Sequence, residues 1–188
     1  MSSAPRRFLF LLASTRRDGN SEQLARRAAA HLPPGAEATW LRLDEHPLPP
    51  FVDTRHSSGY GDPDGTARHL AEATLAATDL VIVSPVYWYS LPAAAKLYFD
   101  HWSGWMRSPA LQLRERMKGR QLWAVLVDSD QAHEGSAEPV LDSLRRTADF
   151  MGMRFGGALL GHGSKPGEAL QDPAVGAAAA TFFRSPGN

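Results

Sequence analysis

The chain has 188 residues, of which 43% are apolar and 21% charged, with a formal net charge of zero and a pI near 7.1. That suits one globular domain with a sizeable core and leaves no electrostatic footprint for nucleic acid or an anionic membrane surface. The absence of cysteine excludes disulfides, thiolate metal sites, cysteine-ligated iron–sulfur clusters and a cysteine nucleophile.

Arg6-Arg7 followed by Phe8–Ala13 faintly resembles a signal peptide, but an apolar signal region runs to about 7–15 residues with a cleavage site beyond it. No run approaches the roughly 18 apolar residues of a membrane span, so the expected location is the cytoplasm. Phe8–Ala13 is instead expected to be a first strand, its unbroken apolarity suiting one covered on both faces. A polar loop, Ser14–Ser21, leads into a helix over 21–31 that Pro33-Pro34-Gly35 ends. Asn20 with Gln23 three residues later predicts a capping box. Ala38–Leu43 is a second strand. Asp44–Gly65 is a Pro-, Gly- and His-rich loop, long enough to be functional or mobile. Thr66–Ala77 predicts a helix with Leu70, Ala71, Thr74 and Leu75 on one side.

Leu80–Val83 reads as a buried third strand that stops at Ser84-Pro85. An aromatic turn, Val86-Tyr87-Trp88-Tyr89, then precedes a helix starting near Leu91-Pro92, where a proline costs nothing. Ser103–Arg120 is polar, with a short helix around Leu111–Met117. Gln121–Val127 is strand four, followed by a polar loop, Asp128–Ser136. A helix over 138–151 presents Val140, Leu141, Leu144, Ala148 and Met151 on one face. Met153–Leu160 is strand five, and a last helix spans 172–183 with Asp172-Pro173 at its start.

Five alternations of strand and helix imply an α/β fold, a parallel sheet with helices on both faces. The expected arrangement is a flavodoxin-like three-layer sandwich in a single domain, with a five-stranded parallel sheet in the order 2-1-3-4-5. In that order the loops after strands one, three and four meet at one crevice. The first combines hydroxyls, an amide and guanidinium groups with a helix start, a setting for phosphate. The second carries three consecutive aromatics, at least one of them exposed, which suits a flat conjugated ligand. The third can close the far side. A phosphate pocket beside a stacking platform matches flavin mononucleotide (FMN) better than a metal or a sugar.

Three segments resemble the NAD(P)H-dependent FMN reductase family of the flavodoxin-like superfamily. Ala13-Ser14-Thr15-Arg16-Arg17-Asp18-Gly19-Asn20-Ser21 is similar to its phosphate loop, commonly G-S-x-R-x-x-G-N-[ST]. Ser84–Ala93 with Lys96–Asp100 resembles its flavin-ring loop, and Met117-Lys118-Gly119-Arg120 its approach to strand four. The resemblance implies that Ser14, Arg16, Asn20 and Ser21 hold the FMN phosphate. It implies that Pro85, Val86, Tyr87 and Trp88 line the isoalloxazine, and it places Asp128 and Ser129 in the third flavin-contacting loop. Two positions depart from the pattern: Ala13 stands for the usual glycine, and the loop after strand four lacks a glycine-rich run.

The resemblance further implies a ping-pong cycle in which NADPH or NADH delivers hydride to flavin N5 and a small acceptor, such as a quinone or free flavin, removes it. The cofactor carries that chemistry, so no acid–base residue is required. Arg55, His56 and Tyr60 of the long loop are candidates for a lid or a nicotinamide-phosphate grip. A homodimer or a dimer of dimers is expected. Tyr98, Trp102 and Trp105 are either its contacts or, given the i, i+4 spacing of Tyr98 and Trp102, part of the core. The alternatives are a flavodoxin-type electron carrier or a non-catalytic binding protein on the same fold. Such carriers are usually acidic and have a phosphate loop rich in threonine and glycine, and neither holds here. A hydrolase is disfavoured because no G-x-S-x-G occurs, and the seven scattered histidines lack metal-ligand spacing.

Overall fold

The computed structural model describes residues 5–129 and 135–184. Five strands form one parallel sheet: β1 (Arg7–Leu12), β2 (Glu37–Arg42), β3 (Asp79–Pro85), β4 (Gln121–Asp128) and β5 (Arg154–His162), in the order β2-β1-β3-β4-β5. The expected order is therefore observed. The helices are α1 (Asn20–Ala29), α2 (Gly65–Ala76), α3 (Ala93–Trp105), α4 (Leu113–Met117), α5 (Glu138–Phe150) and α6 (Pro173–Thr181), with a 3₁₀ turn at Glu168–Leu170.

Alternation along the strands creates two cores, because successive side chains leave opposite faces of a sheet. Phe8, Phe10 and Leu12 of β1 meet Val81 and Val83 of β3 under α1 and α6. Leu9, Leu11, Leu80 and Ile82 face α2, α3, α4 and α5 instead. Tyr98, Trp102 and Trp105 are buried in this second core, so of their two expected roles the packing one is observed. They present no surface to a second copy. Burial pushes the Tyr98 phenol well above its ordinary value, against the hydrogen bond it shares with Thr74 Oγ1 at 2.6 Å.

One irregularity sets the sheet's far edge. Leu122 pairs with Phe155 but Trp123 pairs with Gly157, so Gly156 is an extra residue, a β-bulge. The indole of Trp123 lies over it: a Cβ on Gly156 would sit 2.5 Å from the ring. The indole nitrogen donates to the buried Asp79 at 2.9 Å, and Arg6 Nε donates to the same carboxylate at 3.1 Å.

The long connection between β2 and α2 is not a free strap. His101 of α3 meets the Pro49 carbonyl at 2.8 Å, and Phe51 packs against both Tyr60 and His101. Asp62 accepts from Ser108, and Asp53 joins Arg55 at 2.7 Å and the Tyr60 hydroxyl at 2.5 Å. Hydrogen bonds from Arg55 and Tyr60 hold the Asp53 carboxyl far below the usual carboxylate range. Arg55 and Tyr60, expected as a lid or a grip on nicotinamide, are thus engaged within their own loop.

Candidate functional site

The carboxyl ends of β1, β3, β4 and β5 surround a cavity of about 250 Å³, the position where open parallel sheets bind ligands. Nine of the residues singled out from sequence line it: Ser14, Arg16, Asn20, Ser21, Pro85, Val86, Tyr87, Asp128 and Ser129. Trp88 does not line the wall. It stands beside Tyr87, 92% exposed.

The first loop forms the polar end. Ser14 Oγ accepts the Arg16 N–H at 3.1 Å, and Asp18 adopts a left-handed φ of 50° before the chain enters α1. Gly19 caps α1 and offers no side chain to its first-turn N–H groups, which an α-helix leaves unpaired. With the positive end of the helix dipole, they are a setting that favours an anion. Among the described residues Arg16 makes only a long contact, 3.4 Å, to the Ser164 carbonyl, which leaves most of its donor fork open toward an anion. Ala13, where the resembled family has glycine, has its N–H bonded to Val83 O at 2.9 Å and its methyl in the core, so it does not crowd the cavity.

The expected capping box does not form, because Asn20 has another task. Its amide donates to Gly163 O and Lys165 O, both at 2.9 Å, while its oxygen accepts the Gly167 N–H at 2.7 Å. The side chain is occupied in strapping residues 163–167 to the start of α1. Of the four residues expected to hold phosphate, Asn20 therefore has its side chain committed elsewhere and only its backbone N–H left to offer the cavity. Gln23 turns instead to the Asp18 carbonyl at 2.5 Å.

The second loop forms the apolar end. Val86 N–H donates to Val127 O at 2.8 Å, which fixes Pro85 and Val86 against β4. Tyr87 and Ser90 exchange backbone hydrogen bonds of 3.0 Å each way. Between them Trp88 and Tyr89 have φ of 53° and 59°, the backbone of a type I′ turn that normally asks for Asn and Gly. Tyr87, Trp88 and Tyr89 are all exposed.

Asp128 and Ser129 close the third side, and residues 130–134 of that predicted loop lie outside the described residues. The Asp128 carboxylate is engaged sideways, accepting from Ser136 Oγ and meeting His162 Nδ1 at 2.5 Å. A fourth wall, Gly163 and Ser164 after β5, was not foreseen. The signal for it was Gly161-His162-Gly163-Ser164, glycine-rich at a strand's carboxyl end. Gly163 is tightly enclosed: a Cβ there would lie 2.7 Å from the Glu168 Cβ and 2.8 Å from Ala169 N. Glu168 accepts the N–H groups of Lys165 and Ser164, each at 2.8 Å, which holds its carboxyl below the ordinary value. Among the described residues, no group of three or more His, Asp or Glu could hold a metal ion, and no helix is long and apolar enough to cross a membrane.

A family model described as flavodoxin-like fold matches residues 6–182. A curated relative from Bacillus subtilis (strain 168), YwqN, provisionally named an NAD(P)H-dependent FMN-containing oxidoreductase, is 30% identical over 91% of this chain and 93% of its own. Among solved structures, the Trp repressor binding protein from Bacillus subtilis superposes with a TM-score of 0.72 at 25% identity, covering 95% of this chain and 99% of that one. An FMN-dependent NADH-azoreductase from Bacillus anthracis str. Ames Ancestor, solved in complex with FMN, gives 0.62 at 13% identity, covering 95% and 100%, and bears on the fold alone. The chain belongs to the flavodoxin-like fold family and, within it, to the NAD(P)H-dependent FMN reductases.

Proposed function

We propose that this chain is an FMN-dependent NAD(P)H oxidoreductase that passes electrons from a nicotinamide to a small acceptor such as a quinone or free flavin. The observation that carries the reading is the polarity of one cleft. Ser14, Arg16, Ser21 and the start of α1 make an anion-accepting end, while Pro85, Val86 and Tyr87 make a flat apolar end. The residues present therefore fit FMN, with its phosphate at the first and its ring at the second. Held there by Arg16, Ser14, Ser21 and the start of α1 at one end and by Pro85, Val86 and Tyr87 at the other, FMN would supply the hydride chemistry that links nicotinamide to acceptor.

The chain's own part is to bind, orient and shield. Arg16 and the first-turn N–H groups neutralise and aim the phosphate. The Val86–Val127 hydrogen bond holds the ring-facing segment rigid. Tyr87, half-exposed at the cavity wall, offers a face against which the second aromatic reactant can stack. The relative's name supports the nicotinamide and flavin parts of this reading. In the same reading the protein is a homodimer or dimer of dimers whose contacts come from residues other than Tyr98, Trp102 and Trp105.

Steady-state oxidation of NADPH and of NADH, followed by absorbance with a quinone or free FMN as acceptor, tests the reading. The expected result is turnover that depends on added FMN with at least one nucleotide. Tight flavin binding without turnover by either nucleotide would favour an electron carrier.

A further inference from the structure

Beneath the first loop lies a charged pair that does not line the cleft described above. Arg42, the last residue of edge strand β2, and Glu22, in the first turn of α1, have side chains only 9% and 6% exposed and meet at 2.6 Å. The guanidinium also donates through Nη2 to Ser14 O at 2.9 Å and to Arg16 O at 3.1 Å. Glu22 in turn accepts the Asp18 N–H at 3.3 Å and Arg26 Nε and Nη2 at 3.0 and 2.7 Å. One buried pair therefore holds three backbone groups of the segment between Ser14 and Asp18. Asp44 Oδ1 lies 3.4 Å from Arg42 Nε, yet that nitrogen makes no hydrogen bond.

A buried ion pair is a poor choice for stability alone. Desolvating two charges costs several kcal/mol each, and well-packed apolar residues often serve as well or better. What an apolar pair cannot do is bind carbonyl oxygens. A carbonyl aimed into an anion site repels the anion. Arg42 stands behind the loop, outside the cavity wall, and draws the Ser14 and Arg16 carbonyls toward itself. Both residues whose carbonyls it holds line the anion-accepting end.

We propose that Arg42, held by Glu22, is a positioning residue that keeps the first loop in its phosphate-accepting form and so sets the preference for a phosphorylated flavin over its dephosphorylated counterpart. The inference rests on the reading of the cleft as a flavin site. It adds a determinant that makes no contact with the cofactor.

The test is equilibrium titration, by flavin fluorescence, of the full chain with FMN and with riboflavin. Wild type, Arg42→Lys and the double variant Glu22→Gln/Arg42→Met are compared. Lysine keeps a charge for Glu22 but cannot span Glu22 and both carbonyls with one ammonium. The double variant removes both charges together, so that neither is left buried and unpaired. Each variant is first checked for native circular dichroism. The expected result is that wild type prefers FMN, while the variants lose about tenfold or more in FMN affinity and change less than about twofold for riboflavin, the size expected for misaligned charge-assisted hydrogen bonds. Competition of FMN by inorganic phosphate should weaken in parallel.

A folded variant that keeps the wild-type FMN-to-riboflavin ratio overturns the proposal. So does an equal loss for both flavins, or failure of both variants to fold, since each marks a purely structural pair. Wild type that binds neither flavin would instead remove the reading of the cleft, and the positioning role with it.

Discussion

Replacing Trp88 by glycine should make the protein more stable and a poorer enzyme. Trp88 has φ of 53° and is 92% exposed. An L-residue in the left-handed region costs roughly 1–2 kcal/mol. Glycine escapes that cost but gives back about 0.5–1 kcal/mol in the unfolded chain. The indole buries almost nothing, so no packing is lost. Taken at mid-range, the two leave a net gain of about 0.75 kcal/mol, or about 1.5–3 °C in Tm for a chain of this size. Thermal melts of the flavin-free protein by circular dichroism measure it. The same variant should show a raised KM for an aromatic acceptor at little change in FMN affinity, because strain retained at an exposed aromatic is expected where it serves a site. An unchanged or lowered Tm would refute the reasoning, by showing that the turn is unstrained or that the indole contributes packing.

Other positions give independent tests. Gly156→Ala places a methyl 2.5 Å from the Trp123 ring, and the overpacking should cost about 1–3 kcal/mol, read as a fall in the midpoint of urea unfolding at constant m-value. Asn20→Ala removes three hydrogen bonds to residues 163–167. It should destabilise by roughly 1–3 kcal/mol and speed amide exchange at Gly163–Gly167 ahead of the sheet. Burial alone would raise the Glu22 carboxyl, but hydrogen bonds from Arg26 and Arg42 outweigh it and hold the group below its ordinary value. Its contribution to stability is therefore present above the unfolded-state value of about 4.3 and lost as pH falls through the lower folded-state value. Glu22→Gln should flatten the acid limb of a stability-versus-pH curve there and leave the shape at neutral pH unchanged.

The strands were legible because a sheet covered on both faces demands apolar residues at every position. Phe8–Leu12 and Leu80–Val83 are short, unbroken apolar runs bounded by polar or turn residues, which suits buried strands. The topology followed from βαβ spacing and the handedness of crossovers. The first and second loops were legible because the residues that make a cavity polar or flat, Ser14 and Arg16 or Pro85 and Tyr87, lie close together in sequence. What sequence hid was long-range. Asn20 looked like a cap because Gln23 follows it locally, whereas its partners lie at 163, 165 and 167. The docking of Phe51 and Tyr60 on α3 and the reach of Arg42 under the first loop are likewise contacts between distant segments. The wall formed by Gly163 and Ser164 escaped notice because β5 lies at the sheet's edge, away from the switch point that drew attention to the other loops.

The most direct test of the account is the absorbance spectrum of the purified chain titrated with FMN under anaerobic conditions, followed by NADPH and then NADH. The account predicts saturable binding of one FMN per chain, weakened about tenfold or more in Arg16→Ala, and bleaching of the flavin bands by at least one nucleotide. A chain that leaves the spectrum of FMN unperturbed at every concentration would contradict it, leaving the fold without the function argued from its cleft.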